Sequence, residues 1–240
     1  MFDDRWNPLL RQPETGNFRT VIKQIGFDSD SVTCVLDLGS RDCIEACDMA
    51  DLFPNARVVA VEANPPAIDL CHQTVRQRGK TGRVEIVGAA INSYDGRCTF
   101  HAIDAARTIT PWSDGNIGAS SLFKANGQYP HETYFQSPVE VPCVRLDSLL
   151  RTLNAETPQV IWLDLQGGEM LALQSLGERL CDVRLVHTEV SMKPAYDGQV
   201  LWPELRNFLV SGGFQIAPGG GPNLGEWQSD AIFYRPPLLP

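Results

Sequence analysis

Short apolar runs, each closed by a small or acidic residue and followed by helical spacing, recur along the chain. The first is Cys34–Leu38, CVLDL, ended by Gly39. Runs apolar on both sides suit strands buried on both faces of a parallel sheet. A helical pattern covers about Cys43 to Phe53 and stops at Pro54, because proline cannot continue a helix. The next run, Val58–Val61, ends at Glu62. Asn64-Pro65-Pro66 then opens a helix that extends to about Arg78, with proline in its first turn. Arg83–Ala90 reads as a third strand. Further on, Gln159–Leu163 ends at Asp164 and Arg184–Thr188 ends at Glu189. Helices are expected from about Gly168 to Leu176 and near Leu201–Val210. The chain closes with Phe214–Ala217 and Asp230–Tyr234, strands joined through Gly219-Gly220-Gly221. That glycine run links strand to strand and not strand to helix, so it is a hairpin connection and not a phosphate cradle.

The order is β-α-β-α-β, an insertion, then β-α-β-α-β-β. It predicts an α/β fold: a doubly wound, mostly parallel, seven-stranded sheet with a terminal antiparallel hairpin. Cys98–Ile103 and Val139–Val144 alternate as strands and frame an inserted hairpin or lid over 98–144. Between them, 104–137 is irregular and rich in aromatic residues, including Trp112, Tyr129 and Tyr134. Such a stretch is either an acceptor lid or a surface loop pinned by its rings. Residues 1–31, with a weak helix about Phe18–Ile25, form an N-terminal segment, a cap on the sheet edge or a lid. The remainder, 32–240, is read as one domain. Asp147 is expected to N-cap the helix Ser148–Leu153.

Composition narrows the class. At 240 residues and 43% hydrophobic, the chain can bury a full core. The net charge is −9 and no cluster of Lys and Arg occurs, which argues against nucleic acid and anionic membrane. No apolar run approaches the ~20 residues of a membrane span. The start, MFDDRWNPLLRQPE, lacks an apolar h-region and is not read as a signal peptide. Seven cysteines without a C-x-x-C pair point to a reduced, cytoplasmic protein rather than a zinc or disulfide framework.

Candidate chemistry concentrates where the strands end. Ligands of open α/β sheets bind outside the carboxyl ends of the strands, and Asp37, Glu62, Ala90, Asp164 and Glu189 all fall there. A carboxylate at the tip of the second strand can accept from both hydroxyls of a ribose. A dinucleotide loop needs G-x-G-x-x-G, but Gly39-Ser40-Arg41-Asp42-Cys43-Ile44 has only the first glycine. Asp42 would also oppose a pyrophosphate at the helix N-terminus. The loop suits a nucleoside ligand without phosphates. The candidate cofactor-binding set is Asp37, Gly39, Ser40, Glu62, Ala63, Asn64, Ala89, Ala90 and Asp164. Ala89 and Ala90 either admit a flat adenine or pack sheet on helix.

D-x-G at the end of strand one, with an acid ending strand two, resembles the first motifs of class I S-adenosylmethionine (AdoMet) methyltransferases. The second half resembles the FkbM family of these enzymes. The carrying residues are Val144-Arg145-Leu146-Asp147-Ser148-Leu149-Leu150, Leu163-Asp164-Leu165-Gln166-Gly167-Gly168-Glu169 and Thr188-Glu189-Val190. Gly118-Ala119-Ser120-Ser121-Leu122 and Gly213-Phe214 add to the match. The resemblance spans about 33–235. It implies AdoMet as cofactor and methyl transfer to a hydroxyl of a small molecule, sugar or glycan. One departure is Cys43, where the family usually carries a second glycine. It leaves a non-catalytic methyltransferase-like domain, binding AdoMet weakly or a partner protein, as the alternative.

The candidate catalytic residues are Asp164, Glu189 and His187. Asp164 and Glu189, on neighbouring strand ends, suit either a divalent cation such as Mg²⁺, held through oxygen, or an acceptor's hydroxyls. His187 shares Glu189's side of its strand by alternation; it is a candidate base or a packed histidine. Glu169 is either a backbone cap or a catalytic acid.

Overall fold

The computed structural model describes residues 12–236. The first strands follow the apolar runs. β1 (Cys34–Leu38) is fully buried and leads through the 39–43 loop into α2 (Ile44–Leu52); an earlier helix, α1, spans Gly16–Gln24. β2 (Arg57–Glu62), α3 (Pro65–Gln77) and β3 (Val84–Gly88) complete the first half. The second half runs α4 (Leu146–Thr152), β7 (Val160–Leu163), α5 (Glu169–Ser175), β8 (Leu185–Ser191), α6 (Trp202–Ser211), β9 (Gln215–Ile216) and β10 (Gln228–Tyr234). The seven strands lie in the order β3-β2-β1-β7-β8-β10-β9. β10 runs antiparallel to β8 and to β9, while the other pairs are parallel. The doubly wound sheet with its terminal hairpin is therefore as the pattern predicts.

Alternation along the strands sorts the core into two layers. Val35, Val58, Val160, Trp162 and Leu185 face α1, α2 and part of α3. Leu36, Leu38, Val59, Ile161 and Val186 face α4, α5 and α6. On the first side Phe18 of α1 meets Phe53, Trp162 and His187 edge-on. α1 thus packs on a face of the sheet, and Glu14, just before it, reaches the rim where β1 and β7 end. Residues 1–11, most of the stretch tested for a signal peptide, fall outside the described residues.

Two sequence expectations are corrected. The third strand does not run from Arg83 to Ala90: it ends at Gly88, and Ala89 turns the chain, its N–H donating to the Glu62 carbonyl. β4 (Ala90–Ile91) then joins a separate three-stranded sheet with β5 (Gly96–Ile103) and β6 (Gln136–Val144), in the order β4-β6-β5. The inserted hairpin is this β5–β6 pair, antiparallel from Gly96↔Cys143 to Ile103↔Gln136. The second correction concerns Asp147, which is not the N-cap. α4 starts earlier, Arg145 is the cap residue, and Asp147 sits in the first turn, accepting from the Arg145 guanidinium. A carboxylate there still favours the positive end of the helix.

Candidate active site

Gly39 fixes the geometry of the rim. Its φ is +86°, and a Cβ there would lie 1.8 Å from the Asp164 carbonyl oxygen. The close approach is between two strand ends, β1 against β7. The chain turns with Gly39 and Ser40 both donating to the Val61 carbonyl. Arg41 and Cys43 then adopt left-handed conformations, φ 49° and 59°. Cys43 occupies a backbone position that favours glycine. Its side chain is fully buried, away from the walls of the cavities described next, so the sulfur leaves the cofactor's space open.

A cavity of about 500 Å³ is walled by Gly39, Glu62, Ala63, Ala89, Ala90 and Asp164, with Ile117, Gly118 and Phe100 from the insertion. Glu62 is buried, and its carboxylate accepts from the backbone N–H groups of Arg41 (2.8 Å) and Asn64 (2.7 Å). Burial raises its proton affinity, and those N–H groups oppose the rise. Each carboxylate oxygen keeps a lone pair for a further donor. Ser40 and Asn64 stand behind the wall. Ser40 donates to the Asp37 carbonyl, and Asn64 donates to Ser120. Asp37 lines an adjoining cavity with Glu45, Trp162, His187 and Asp230. Its Oδ2 and the Oδ1 of Asn64 are buried without a hydrogen-bond partner. The donor set fits AdoMet: acceptors for ribose hydroxyls, a flat alanine wall, and carboxylates for a cationic ligand.

A third cavity, about 650 Å³, opens on the other side of Asp164 and is polar and aromatic, with Glu132, Gln166, Glu189, Trp112, Tyr129 and Tyr134 among its walls. Gly39, Arg41 and Asp164 line all three spaces. Gln166 organises the junction. Its Nε2 donates to Asp164 Oδ1 (2.7 Å) and to Glu189 Oε2 (3.1 Å), and its Oε1 accepts from the Tyr196 hydroxyl (2.8 Å). The pair of carboxylates expected to ligate a cation is thus bridged by an amide, which a cation would have to displace. Among the described residues no group of three or more His, Cys, Asp and Glu side chains is arranged to hold a metal. Burial raises the proton affinity of Asp164, and burial with the neighbouring Asp164 and Glu169 charges raises that of Glu189 further.

His187 lies on the Asp37 side and is not among the walls of the cavity that Glu189 lines. Its ring stacks on Trp162 at 3.5 Å, it lines the Asp37 cavity, and burial pushes its pKa down to about 3. Glu169 is a backbone cap: its Oε1 accepts from the N–H groups of Leu165 and Gly167, and burial pushes it up to about 7.

Sequence reasoning missed Arg41. Its guanidinium bonds Asp114 at 2.6 Å, lies 4.8 Å over the Trp112 ring, and would meet a side chain at Gly118. No spacing signals a residue that ties the cofactor loop to a segment this distant. Gln166 and Tyr196 were also missed as a unit, although Gln166 stands inside a motif already recognised.

The family model described as "Methyltransferase FkbM domain" matches residues 37–216. The chain belongs to the FkbM methyltransferase family. A curated relative of this FkbM methyltransferase is the 2-O-methyltransferase NoeI of Sinorhizobium fredii (strain NBRC 101917 / NGR234). It is 28% identical over 178 residues, covering 74% of this chain and 71% of that protein. Among solved structures, the precorrin-6y C5,15-methyltransferase of Geobacter metallireducens GS-15 shares the fold. Its TM-score is 0.50 at 12% identity, with 98% of this chain and 95% of that one covered. The FkbM assignment makes the protein a methyltransferase, with AdoMet implied as its methyl donor. Among the described residues no helix is long and apolar enough to cross a membrane.

Proposed function

We propose that this protein is an AdoMet-dependent O-methyltransferase acting on a hydroxyl of a small molecule or sugar. The observation that carries the reading is the junction at Gly39, Arg41 and Asp164, shared by the cavity walled by Glu62, Ala63, Ala89 and Ala90 and by the polar, aromatic one. The relative NoeI, a 2-O-methyltransferase, supports oxygen as the acceptor atom.

AdoMet, when bound, supplies an electrophilic methyl on a good leaving group. The chain's residues then have to position the partners and take a proton. Glu62 would hold the ribose, Ala63, Ala89 and Ala90 would wall the base, and Asp37 would pair with the ammonium. Asp164 takes the hydroxyl proton, because a buried carboxylate of raised proton affinity stands between the two cavities. Glu189 orients the acceptor, and Gln166 holds both carboxylates in register. His187 is too weak a base, lies on the Asp37 side, and serves as core packing. No divalent cation enters this scheme.

Calorimetry with AdoMet, using NAD as the control, is the first test: micromolar binding of AdoMet and none of NAD is expected, and the reverse would end the proposal. Labelled AdoMet and a panel of glycosides should then yield methyl ethers, with turnover unchanged in EDTA. Loss of turnover in EDTA, restored by Mg²⁺, would reinstate the cation between Asp164 and Glu189.

A further inference from the structure

The acceptor cavity has a charge pattern that a neutral hydroxylated ligand does not need. Tyr129 and Tyr134 lie parallel at 5.8 Å, and Tyr134 continues the stack onto Tyr196 at 6.1 Å. Glu132 and Glu189 flank this ladder, each close enough to raise the proton affinity of both Tyr129 and Tyr134. These four side chains line the acceptor cavity and neither of the other two spaces, so they lie beyond the reacting methyl group. Glu132 is fixed in place, both its oxygens accepting from Asn116 Nδ2 at 3.1 and 2.9 Å. Glu189 accepts from Gln166 and from Gln228, each at 3.1 Å. All of these partners are neutral amides. The only Lys or Arg among the cavity's described walls is Arg41, which is bound to Asp114.

Ring faces flanked by carboxylates form the arrangement that recognises an ammonium ion: the rings offer a negative face and the carboxylates offer acceptors. The same chemistry is already satisfied beside Tyr129 by the protein's own cation. Lys193 Nζ lies 4.9 Å over the Trp227 ring, and that ring meets Tyr129 edge-on. Inside the cavity no described lysine or arginine plays that part for Tyr129 and Tyr134.

We infer that the acceptor is an amino-bearing polyol, such as a sugar with a free amine, whose ammonium lies against Tyr129 and Tyr134 between Glu132 and Glu189. The hydroxyl to be methylated then points at Asp164. The inference rests on the O-methyltransferase reading for the identity of that hydroxyl, and on the cavity alone for the ammonium. It also disfavours uronates and sugar phosphates, whose charge would meet the Glu132 carboxylate.

Binding separates the two ideas, because it does not require turnover. Methyl 2-amino-2-deoxyglucoside, methyl glucoside and methyl glucuronide are titrated against the protein saturated with S-adenosylhomocysteine, with calorimetry as readout. The amine is expected to bind at least about tenfold more tightly than the neutral glycoside, and the glucuronide more weakly than both. Glu132→Gln keeps the shape and removes the charge; it should bring the amine close to the neutral glycoside, with the thermal midpoint reporting that the variant folds. Tyr129→Leu removes the ring face and should act in the same direction. Equal binding of amine and neutral glycoside, tighter binding of the glucuronide, or no binding of any of them would overturn the inference. Tight amine binding without methyl ether formation would uphold the ammonium site while removing the O-methylation reading.

Discussion

Single residues set the tolerance of this rim. Gly39 combines a left-handed φ with a Cβ position inside the Asp164 carbonyl, so Gly39→Ala should cost at least about 2 kcal/mol in urea unfolding. AdoMet binding is to be measured only on the fraction that folds. Cys43 has a left-handed φ without that clash. Gln166 is a different case. Replaced by Leu, it would leave two carboxylates and a tyrosine hydroxyl without its amide, but its backbone has no need to move. We expect Gln166→Leu to lower kcat about 100-fold while AdoMet affinity changes less than about threefold, since only the positioning of Asp164 and Glu189 is lost. Steady-state kinetics beside calorimetry would separate the two effects; an equal loss in both would mean that Gln166 holds the cofactor instead.

At the scale of elements, the site depends on how the insertion is tied to the sheet. The insertion carries Ile117–Ala119, a short 3-10 helix that reaches the cofactor cavity, and Tyr196 on the loop after β8 holds it there. The Tyr196 hydroxyl bonds the Ala119 carbonyl at 2.9 Å and Gln166 at 2.8 Å. Gln199 fixes that loop in turn, accepting from the backbone N–H groups of Ala195 and Tyr196 and donating to Ser191. Tyr196→Phe keeps the ring stack and removes the tie. It should destabilise the protein by about 1–2 kcal/mol in urea and raise the acceptor KM more than the AdoMet Kd. If both constants rise together, the insertion is not positioned by this tie.

For the whole molecule, two buried groups give the stability opposite slopes with pH. His187 falls from 6.5 to about 3 in the folded protein. The folded state therefore binds fewer protons than the unfolded state, and stability is lost as pH falls from about 6.5 toward 3. Glu169 rises from 4.5 to about 7. Its contribution is fully present below 4.5 and is lost as pH rises toward 7. His187→Phe, which keeps a ring against Trp162, should therefore lose less of its thermal midpoint than the wild type between pH 6.5 and pH 4, by several degrees. Parallel curves for the two proteins would show that some other group drives the acid transition.

What the sequence by itself determined was the periodic skeleton. Apolar runs such as CVLDL and VIWL, closed by small or acidic residues, suit strands covered on both faces, and the helices between them favour a parallel sheet whose carboxyl ends share a rim. That logic placed Asp37, Glu62, Asp164 and Glu189 on one edge, because a strand's end is a local property. It did not reveal that Gly39 packs against the Asp164 backbone, that the third strand breaks at Ala89, or that His187 turns into the core. Those follow from packing between elements distant in the chain, where each surface is set by its neighbour and not by its own spacing. Arg41 with Asp114, and Gln166 between Asp164, Glu189 and Tyr196, exist only once the insertion lies against the sheet. The reacting rim was thus fixed by local pattern, and the way its carboxylates are paired was decided by the tertiary structure.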